Sequence, residues 1–453
     1  MITIAEPGRN ISKLWGKQAP KPAEKYRLMR YVLRVEHGGK TALHNNVTGQ
    51  LVLLSETETE KIDALPVSYD SGLDSLIADH FLVPLDYDEH KQVVNLRSVL
   101  KKLAPVSQAV THYTILPTTA CNARCYYCFE QGVRAVTMTE KTAEDTVRFI
   151  ADHCGEQKHV FIIWFGGEPT VAAGRIDQIC EGLQAEGISY RSMMYTNGYL
   201  MDEKMCERAR ELWHLNHVQM SVDGTEQIYN EIKAYVNAED NPYQTVLRNI
   251  GCMLEAGISV AVRMNVDYIN YQNFSDLMQD FIDRYEGSEL LNLCAYALIG
   301  EYADHDGVVR HADESWIAEK VEELNRLAKE KGLIRPAKAL PQIVLNACMS
   351  DNASTITIGA DGNLIRCAEH FQNEDAVGTL MDGITEHGLV REWQTTIEPA
   401  ECSECTFFPN CLQLAKCSAA GHCYRQGKKQ QHVWNIQKVI EDYFGEGEKE
   451  NEV

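Results

Sequence analysis

The sequence predicts an α/β fold organised on a parallel sheet, and two observations carry that prediction. Six short apolar stretches, residues 113–116, 160–165, 191–195, 218–222, 259–266 and 291–298, alternate with amphipathic helical patterns. Strand–helix alternation gives parallel pairing, because each helix returns the chain to the end of the sheet where the next strand starts. Six units fit a partial (β/α)6 barrel. The second observation is where the uncommon residues fall. Cys121, Cys125 and Cys128 follow the first strand, Gly166-Gly167-Glu168-Pro169 the second and Thr196-Asn197-Gly198 the third; Ser221 and Asp223-Gly224 end the fourth, and Arg263 with Asn265 lies near the end of the fifth. Loops leaving the C-terminal ends of barrel strands converge on one mouth, where chemistry is done.

Composition narrows the function. The 453 residues suffice for more than one domain, and the formal net charge is −22. Nucleic acid and anionic membranes are poor partners for such a chain, since both are bound through clustered Lys and Arg. No apolar run reaches membrane-spanning length and the N-terminal Met1-Ile2-Thr3-Ile4-Ala5-Glu6 has no secretory signal features, so the expected location is the cytoplasm. Fifteen cysteines are then expected reduced and used on metal. Cys154, Cys180, Cys206, Cys252 and Cys294 stand alone and read as small buried hydrophobes; Cys154 continues the helical stripe Ala143, Val147, Ile150, Ala151.

In chain order, residues 1–24, with Pro20, Lys21 and Pro22 and no clear period, read as a flexible N-terminus. Within 25–105, strands are expected at 31–36, 41–44 and 50–54, with turns at Gly38-Gly39, Asn45-Asn46 and Thr48-Gly49. Ser55 and Glu58 form a capping box for a helix that Pro66 stops, and a second helix covers 72–80. This unit resembles the winged-helix element with which peptide-modifying enzymes hold a leader peptide along a strand edge, where backbone hydrogen bonds supply the affinity. A plain packing cap is the alternative. Residues 96–103 read as a basic helical connector, and the barrel is expected over 106–310. Its first helix opens at the cap Thr139 and ends at Gly155, and a later one presents Phe274, Leu277, Met278, Phe281 and Ile282 on one side. A polar bridging helix with Val321, Leu324 and Leu327 occupies 311–340. A cysteine-rich domain spans 341–426, and 427–453 forms a helix carrying Val433, Ile436, Val439, Ile440 and Phe444 before an acidic, disordered tail.

The stretch Pro117-Thr118-Thr119-Ala120-Cys121-Asn122-Ala123-Arg124-Cys125-Tyr126-Tyr127-Cys128-Phe129-Glu130 places three thiols within eight residues. A structural zinc takes four ligands, whereas a four-iron cube can be held by three thiolates with one iron left open to a small molecule. The spacing C-x3-C-x2-C, with the aromatic Tyr127 before the third cysteine, resembles that of the radical S-adenosylmethionine (radical SAM) enzymes. The resemblance implies a [4Fe-4S] cluster on Cys121, Cys125 and Cys128 that chelates S-adenosylmethionine, reductively cleaves it, and yields a 5′-deoxyadenosyl radical able to take a hydrogen atom from an unactivated carbon. It also implies that Tyr127 is one of the cofactor-binding residues, and it implies further roles at the strand ends. Gly166, Gly167, Glu168 and Pro169 match the GGEP motif, in which the glycines offer N–H groups and close backbone approach and the glutamate accepts from the methionine amine. Asn197, Ser221 and Arg263 match positions that contact the ribose, the amino-acid portion and the carboxylate. Taken singly, Asn197-Gly198 also reads as a turn and Arg263 as a surface salt bridge; for the motif itself the plain alternative is a buried-cysteine cluster or an incomplete zinc site.

Downstream, Cys348 is followed by thirteen residues, Gly362, four residues and Cys367, and then by Cys402-x2-Cys405-x5-Cys411-x5-Cys417-x5-Cys423. Gly359, Asp361 and Gly362 supply a tight hairpin between the first pair. The pattern resembles the SPASM domain, which implies two auxiliary iron–sulfur clusters of the [4Fe-4S] type. Matched in order, Cys402, Cys405, Cys411 and Cys423 close one cluster, while Cys348, Cys367 and Cys417 hold the other with one iron lacking a cysteine. The five residues between Cys411 and Cys417 depart from the family's three, so an exchange of Cys417 and Cys423 stays open, as do one or two zinc ribbons. The uncovered iron would take a substrate cysteine or, alternatively, His370, His422 or water.

The expected fold class is therefore α/β: a partial (β/α)6 radical SAM barrel, an N-terminal winged-helix-like peptide-recognition domain and a C-terminal SPASM domain. This combination is similar to maturases of ribosomally made peptides, above all the thioether-forming sactipeptide and ranthipeptide enzymes. It implies a cysteine-containing precursor peptide with a leader and an electron donor such as flavodoxin or ferredoxin. Carbon–carbon crosslinking, epimerisation, formylglycine formation and a non-catalytic peptide-binding scaffold are the competing readings.

Overall fold

The computed structural model describes residues 1–21, 24–104, 109–238, 240–298, 301–311, 313–370, 373–418, 420, 423 and 426–450. Two units result, one of Met1–Val106, Pro336–Ala347 and Thr395–Val453, the other of Ser107–Arg335 and Cys348–Gln394.

The first unit begins with β1 (Ile2–Ala5) and α1 (Arg9–Trp15), then β2 (Lys25–Leu28), the hairpin β3 (Val32–His37) and β4 (Lys40–Asn45), and β5 (Leu51–Leu53). An antiparallel sheet runs in the order β1-β5-β4-β3. Residues 1–24 are therefore not a loose leader: Ile2 and Thr3 pair with Leu53 and Val52, and α1 buries Ile11. One short strand and one buried residue are too little to leave a period in the sequence. The capping box is present, with Ser55 Oγ accepting from Glu58 N and the Glu58 carboxylate from Ser55 N at the start of α2 (Glu56–Asp63). Next come β6 (Val67–Ser68), α3 (Asp74–Ala78) and β7 (Leu82–Pro84), which closes a second sheet of order β6-β2-β7. The expected basic connector is the end of α4 (Glu89–Leu103). Its Arg97 turns inward and donates to the carbonyls of Val344 (3.1 Å), Phe408 (3.0 Å) and Pro409 (3.1 Å).

The second unit holds the six predicted strands as β8 (His112–Thr118), β9 (His159–Gly166), β10 (Ser189–Tyr195), β11 (Leu215–Ser221), β12 (Ser259–Val266) and β13 (Leu291–Ala297), neighbours in sequence and parallel throughout. Between them run α5 (Glu140–His153), capped by Thr139, α6 (Ala173–Ala185), α7 (Glu203–Glu211), α8 (Glu226–Lys233), α9 (Pro242–Glu255) and α10 (Phe274–Tyr285). Alternate residues such as Met194, Val218, Met220, Val262 and Met264 are buried, while Tyr195, Gln219, Ser221 and Arg263 on the other face are half-buried. The buried set meets the helices and the other faces the barrel interior.

Beyond β13 lie the hairpin strands β14 (Glu301–Ala303) and β15 (Val309–His311), then α11 (Glu314–Glu330). α11 is not the bridging helix expected over 311–340. Ile317, Val321, Leu324 and Ala328 make a buried stripe, and Asn325 both donates to Ala295 O (3.1 Å) and accepts from Ala295 N (2.8 Å), so α11 packs on β13 as the helix of the sixth strand–helix unit. The cysteine-rich region also divides differently from the single domain expected over 341–426. β16 (Thr355–Ile358) pairs parallel with the free edge of β8, and β17 (Asn363–Ile365), β18 (Ala376–Thr379) and β19 (Gly383–Ile384) extend the same sheet before α12 (His387–Trp393). The alternating Thr355-Ile356-Thr357-Ile358 suits an open sheet edge, and cysteine spacing carries no information about that edge. From Thr395 onward, β20 (Thr396–Ile397), β21 (Gln413–Leu414) and α13 (Gln426–Glu450) belong to the first unit, where Ile436 and Ile440 of α13 pack on Val35, Ala42, Leu51 and Leu53. No described helix is long and apolar enough to cross a membrane.

Candidate active site at the barrel mouth

The loop after β8 is fixed along its length. Val236 N donates to Asn122 O and Arg124 N to Lys233 O, each at 2.8 Å, so the turn after α8 runs beside the cysteines. Tyr126 OH donates to Asp267, just past β12, at 2.5 Å, and Tyr127 OH donates to Asp223, just past β11. Two adjacent tyrosines thus anchor the loop to two strand ends, with Cys121, Cys125 and Cys128 half-buried among them. Burial raises all three thiols, and Cys121 is pushed up to about 12, with Cys125 and Cys128 close enough to add to the effect. A bound cation reverses that preference, because it stabilises the thiolate directly.

The end of β9 presses on the same loop. Gly167 N donates to Thr118 O (3.1 Å) and Glu168 N to Ala120 O (2.9 Å). Gly166 has φ +119°, and a Cβ on Gly167 would stand 2.5 Å from Ala120 O and 2.6 Å from Thr119 O. The glycines therefore allow backbone to meet backbone. This corrects their expected use: the Gly167 N–H is bonded within the chain rather than offered to a ligand. Pro169 opens the 3-10 turn Pro169–Ala172, and Glu168 caps it. Glu168 is fully buried; Oε1 accepts from Thr170 N (3.1 Å), Thr170 Oγ1 (2.5 Å) and Thr196 Oγ1 (2.7 Å), and Oε2 from Asn197 N (2.7 Å). Burial raises its carboxyl and these donors oppose the rise. Oε1 is saturated while Oε2 keeps room for one more donor. Asn197 Nδ2 donates to Asn122 Oδ1 at 2.7 Å and approaches Cys121 Sγ at 3.9 Å.

Ser221 and Arg263 are register partners on β11 and β12. Ser221 Oγ accepts from Lys233 Nζ (2.6 Å), which also pairs with Asp223 (2.8 Å) and donates to Tyr127 OH (2.9 Å). Asn265 completes the network, with Nδ2 donating to Tyr127 OH (3.2 Å) and N to Asp223 Oδ1 (3.1 Å). Lys233 is only 2% exposed. Burial works against its charge, but Asp223, Tyr127 and Cys125 outweigh it and hold the ammonium well above its usual range. Sequence reasoning missed this residue, because a lysine in the last turn of a helix ordinarily complements the helix dipole in solvent. Arg263 lies over the Tyr296 ring at 4.6 Å, and its Nε is buried without a hydrogen-bond partner among the described residues. An orphaned buried donor of this kind fits a carboxylate carried by a ligand. An aromatic wall continues from there, Phe129 stacking on Phe165 at 6.3 Å and Phe165 meeting Tyr195 edge-on at 5.1 Å.

Residues 115–281 match the family model of the radical SAM superfamily. The chain carries a radical SAM domain. That family implies S-adenosylmethionine and a [4Fe-4S] cluster, and the mouth of this domain fits both: three thiols on one anchored loop, an acceptor site left on Glu168 and the unpartnered Arg263 Nε. Among solved structures the chain is similar to native anSMEcpe with bound AdoMet and Cp18Cys peptide, at TM-score 0.57 and 15% identity over 74% of this chain and 99% of that one. It is also similar to Streptococcus suis SuiB bound to precursor peptide SuiA, at TM-score 0.48 and 14% identity over 85% and 94%. The anSMEcpe likeness, at this identity, shows a shared fold. No curated protein matches the chain.

The other predicted cysteines of the chain fall in both units. Cys348 and Cys367 lie in the second, where burial pushes the Cys367 thiol up to about 11 and Cys348 adds to it. Buried Arg366 donates to the carbonyls of Ser350 (2.8 Å), Thr355 (2.7 Å) and Asn352 (2.6 Å), fixing the loop after Cys348. The predicted hairpin is present, with Gly359 N donating to Asn363 O and Gly362 at φ +87°. His370 approaches Asp375 at 3.9 Å, and its ring meets Trp393; His422 lies outside the described residues. Cys402, Cys405, Cys411, Cys417 and Cys423 lie in the first unit. Burial, then Cys411, Glu401, Cys405 and Cys423, raises the Cys402 thiol to about 11. Among the described residues no three His, Cys, Asp or Glu side chains close around a single metal ion. A four-iron cube is wider than one ion and spreads its thiolates further apart.

Proposed function

We propose that this protein is a radical SAM maturase that forms cysteine thioether crosslinks in a ribosomally made precursor peptide. One observation carries the reading: the Cys121–Cys128 loop, Glu168, Asn197, Ser221 and Arg263 stand at the same ends of adjacent parallel strands, with the acceptor and donor capacity left on Glu168 and Arg263. A [4Fe-4S] cluster on Cys121, Cys125 and Cys128, when bound, supplies the electron that cleaves S-adenosylmethionine to a 5′-deoxyadenosyl radical. The chain's own part is to hold and orient. Glu168 Oε2 accepts from the methionine amine, Arg263 takes the carboxylate, Asn197 faces the ribose, and Ser221, whose oxygen already accepts from Lys233, offers its hydroxyl hydrogen to the amino-acid portion. Tyr127 belongs to the same cofactor-binding set and also holds the loop through its bond to Asp223.

Several features support a peptide as the substrate. β3 ends its sheet with no strand paired on its outer side among the described residues, an edge that a leader can extend by backbone pairing. anSMEcpe, which shares the barrel fold, holds both AdoMet and a peptide. In this reading Cys402, Cys405, Cys411 and Cys423 hold one auxiliary cluster, and Cys348 and Cys367 serve another that leaves an iron for the substrate thiol, whose pKa it lowers. Flavodoxin or ferredoxin would be the reductant. The test is anaerobic: protein reconstituted with iron and sulfide, dithionite and S-adenosylmethionine should give 5′-deoxyadenosine. A cysteine-containing precursor peptide should then lose two hydrogens together with alkylatable thiol. No 5′-deoxyadenosine from fully loaded protein rejects the enzyme, and a modified peptide with all its thiols intact rejects the thioether.

A further inference from the structure

Lys233 and Asp223 form a buried ion pair beside the cysteine loop; their hydrogen bonds anchor Tyr127 and Ser221, but none of the roles described so far requires that the two groups be charged. The lysine carbonyl accepts the Arg124 N–H at 2.8 Å, immediately before Cys125, and its ammonium donates to Tyr127, two residues after Cys125. Asp223 accepts from the same tyrosine hydroxyl. One phenol thus joins both charges to the loop, and Lys233 and Asp223 are 2% and 0% exposed. Burying an ion pair costs desolvation that its attraction does not always recover, and a hydrophobic pair of the same shape often packs as well. Lys233 Nζ has its three donors satisfied by Asp223, Ser221 and Tyr127, so its charge has a fixed position. The potential of an iron–sulfur cluster follows the net charge and hydrogen bonding around its thiolates.

We infer that Lys233 and Asp223 are a pair of opposed positioning charges that set the reduction potential of the cluster on Cys121, Cys125 and Cys128, the lysine raising it and the aspartate lowering it. This rests on that cluster forming as proposed above. Each residue acts through the Cys125 corner rather than on substrate. Their near-cancellation would keep the cluster reducing enough for sulfonium cleavage while still accessible to a protein reductant.

The experiment uses the full-length protein, anaerobically reconstituted, as wild type and as K233M, K233R, D223N and the K233M/D223N double variant. Iron and sulfide content are measured first. The midpoint potential is then followed by EPR for the cluster whose signal changes on adding S-adenosylmethionine. The expected result is a lower potential in K233M, a higher one in D223N, and values near wild type in K233R and in the double variant. Shifts of the same sign in both single variants, or no shift with full iron content, overturn the inference. Loss of that cluster from K233M, D223N and K233R alike, with circular dichroism unchanged, also overturns it, because the pair would then hold the loop rather than tune it. If wild-type protein forms no cluster responsive to S-adenosylmethionine, the functional reading fails instead, so the two failures are distinguishable.

Discussion

Two cysteine-bearing segments of this chain are held in different ways. Side chains from other strand ends reach the Cys121–Cys128 loop: Asp267 takes Tyr126, Asp223 takes Tyr127 and Asn197 takes Asn122. The segment from Cys402 to Cys423 instead consists of the 3-10 turns Ala400–Glu404 and Phe408–Asn410 and the two-residue strands of its small sheet, with Arg97 as a buried anchor for the carbonyls around Cys411. Strand ends make a site that is shaped before any metal arrives, whereas turns of this length would gain much of their rigidity from the cluster proposed for them. Removing iron with a chelator should therefore accelerate amide exchange strongly over 400–418 and little over 118–128. Equal loosening of both would erase the distinction.

The largest effect expected is on turnover. Cys125→Ala should reduce 5′-deoxyadenosine formation to background while leaving the thermal unfolding of the barrel close to wild type, because the loop keeps its tyrosine anchors. Cys411→Ala, by contrast, should lower both iron content and the stability of the first unit. Next comes Gly167→Ala, whose Cβ would meet the carbonyl oxygens of Ala120 and Thr119. Neither backbone can retreat without moving the cysteine loop, so a loss of about 3 kcal/mol in urea unfolding is expected. A loss below about 1 kcal/mol would mean that the loop yields more easily than its hydrogen bonds imply.

The first unit also has an acid-sensitive element that sharpens the contrast. His44 is fully buried with Nδ1 3.2 Å from Asn46 Oδ1, and burial lowers it from 6.5 to about 3. Between those values the unfolded chain binds the proton and the folded one does not. Its stability contribution is therefore complete above pH 6.5 and is lost as pH falls toward 3, at about 1.4 kcal/mol per pH unit. His44→Asn, whose amide can replace the Nδ1 contact, should remove about 2 kcal/mol of the stability difference between pH 6.5 and pH 5, as read by urea unfolding at the two values. An unchanged pH dependence would assign the acid sensitivity elsewhere.

Most of the barrel was legible because a buried parallel sheet writes itself as repeated apolar runs. The predicted strand over 259–266 coincides with β12, and the other five differ only at their ends. What failed has a common physical cause, namely contacts distant in sequence. The parallel pairing of β16 with β8 joins residues more than two hundred positions apart, and α11 finds β13 through Asn325, a polar residue that no periodicity singles out. At the site, strand-end placement singled out Glu168 and Ser221 as candidates, but the bonds that orient their side chains come from Thr170, Thr196 and Lys233, whose residue types are common on surfaces. Gly167 donates its N–H to Thr118 O instead of leaving it for a ligand, and sequence cannot tell whether a glycine yields to a ligand or to another stretch of backbone.

The smallest effect expected is at Arg263, and it separates the preorganised loop from the ligand pocket beside it. Arg263→Lys keeps the charge but loses both the planar fork and the Nε donor that is buried without a partner. If that donor serves the S-adenosylmethionine carboxylate, the dissociation constant should rise about tenfold, the loss of about 1.4 kcal/mol that one charge-assisted hydrogen bond accounts for. Iron content should stay unchanged, because Arg263 takes no part in holding the cysteines. Isothermal titration of the reconstituted protein with S-adenosylmethionine reads the first quantity, and a colorimetric iron assay the second. Unchanged affinity with slower peptide modification would move Arg263 from the cofactor to the peptide. The aromatic wall of Tyr195, Phe165 and Tyr296 would then be the place where the chain reads its substrate.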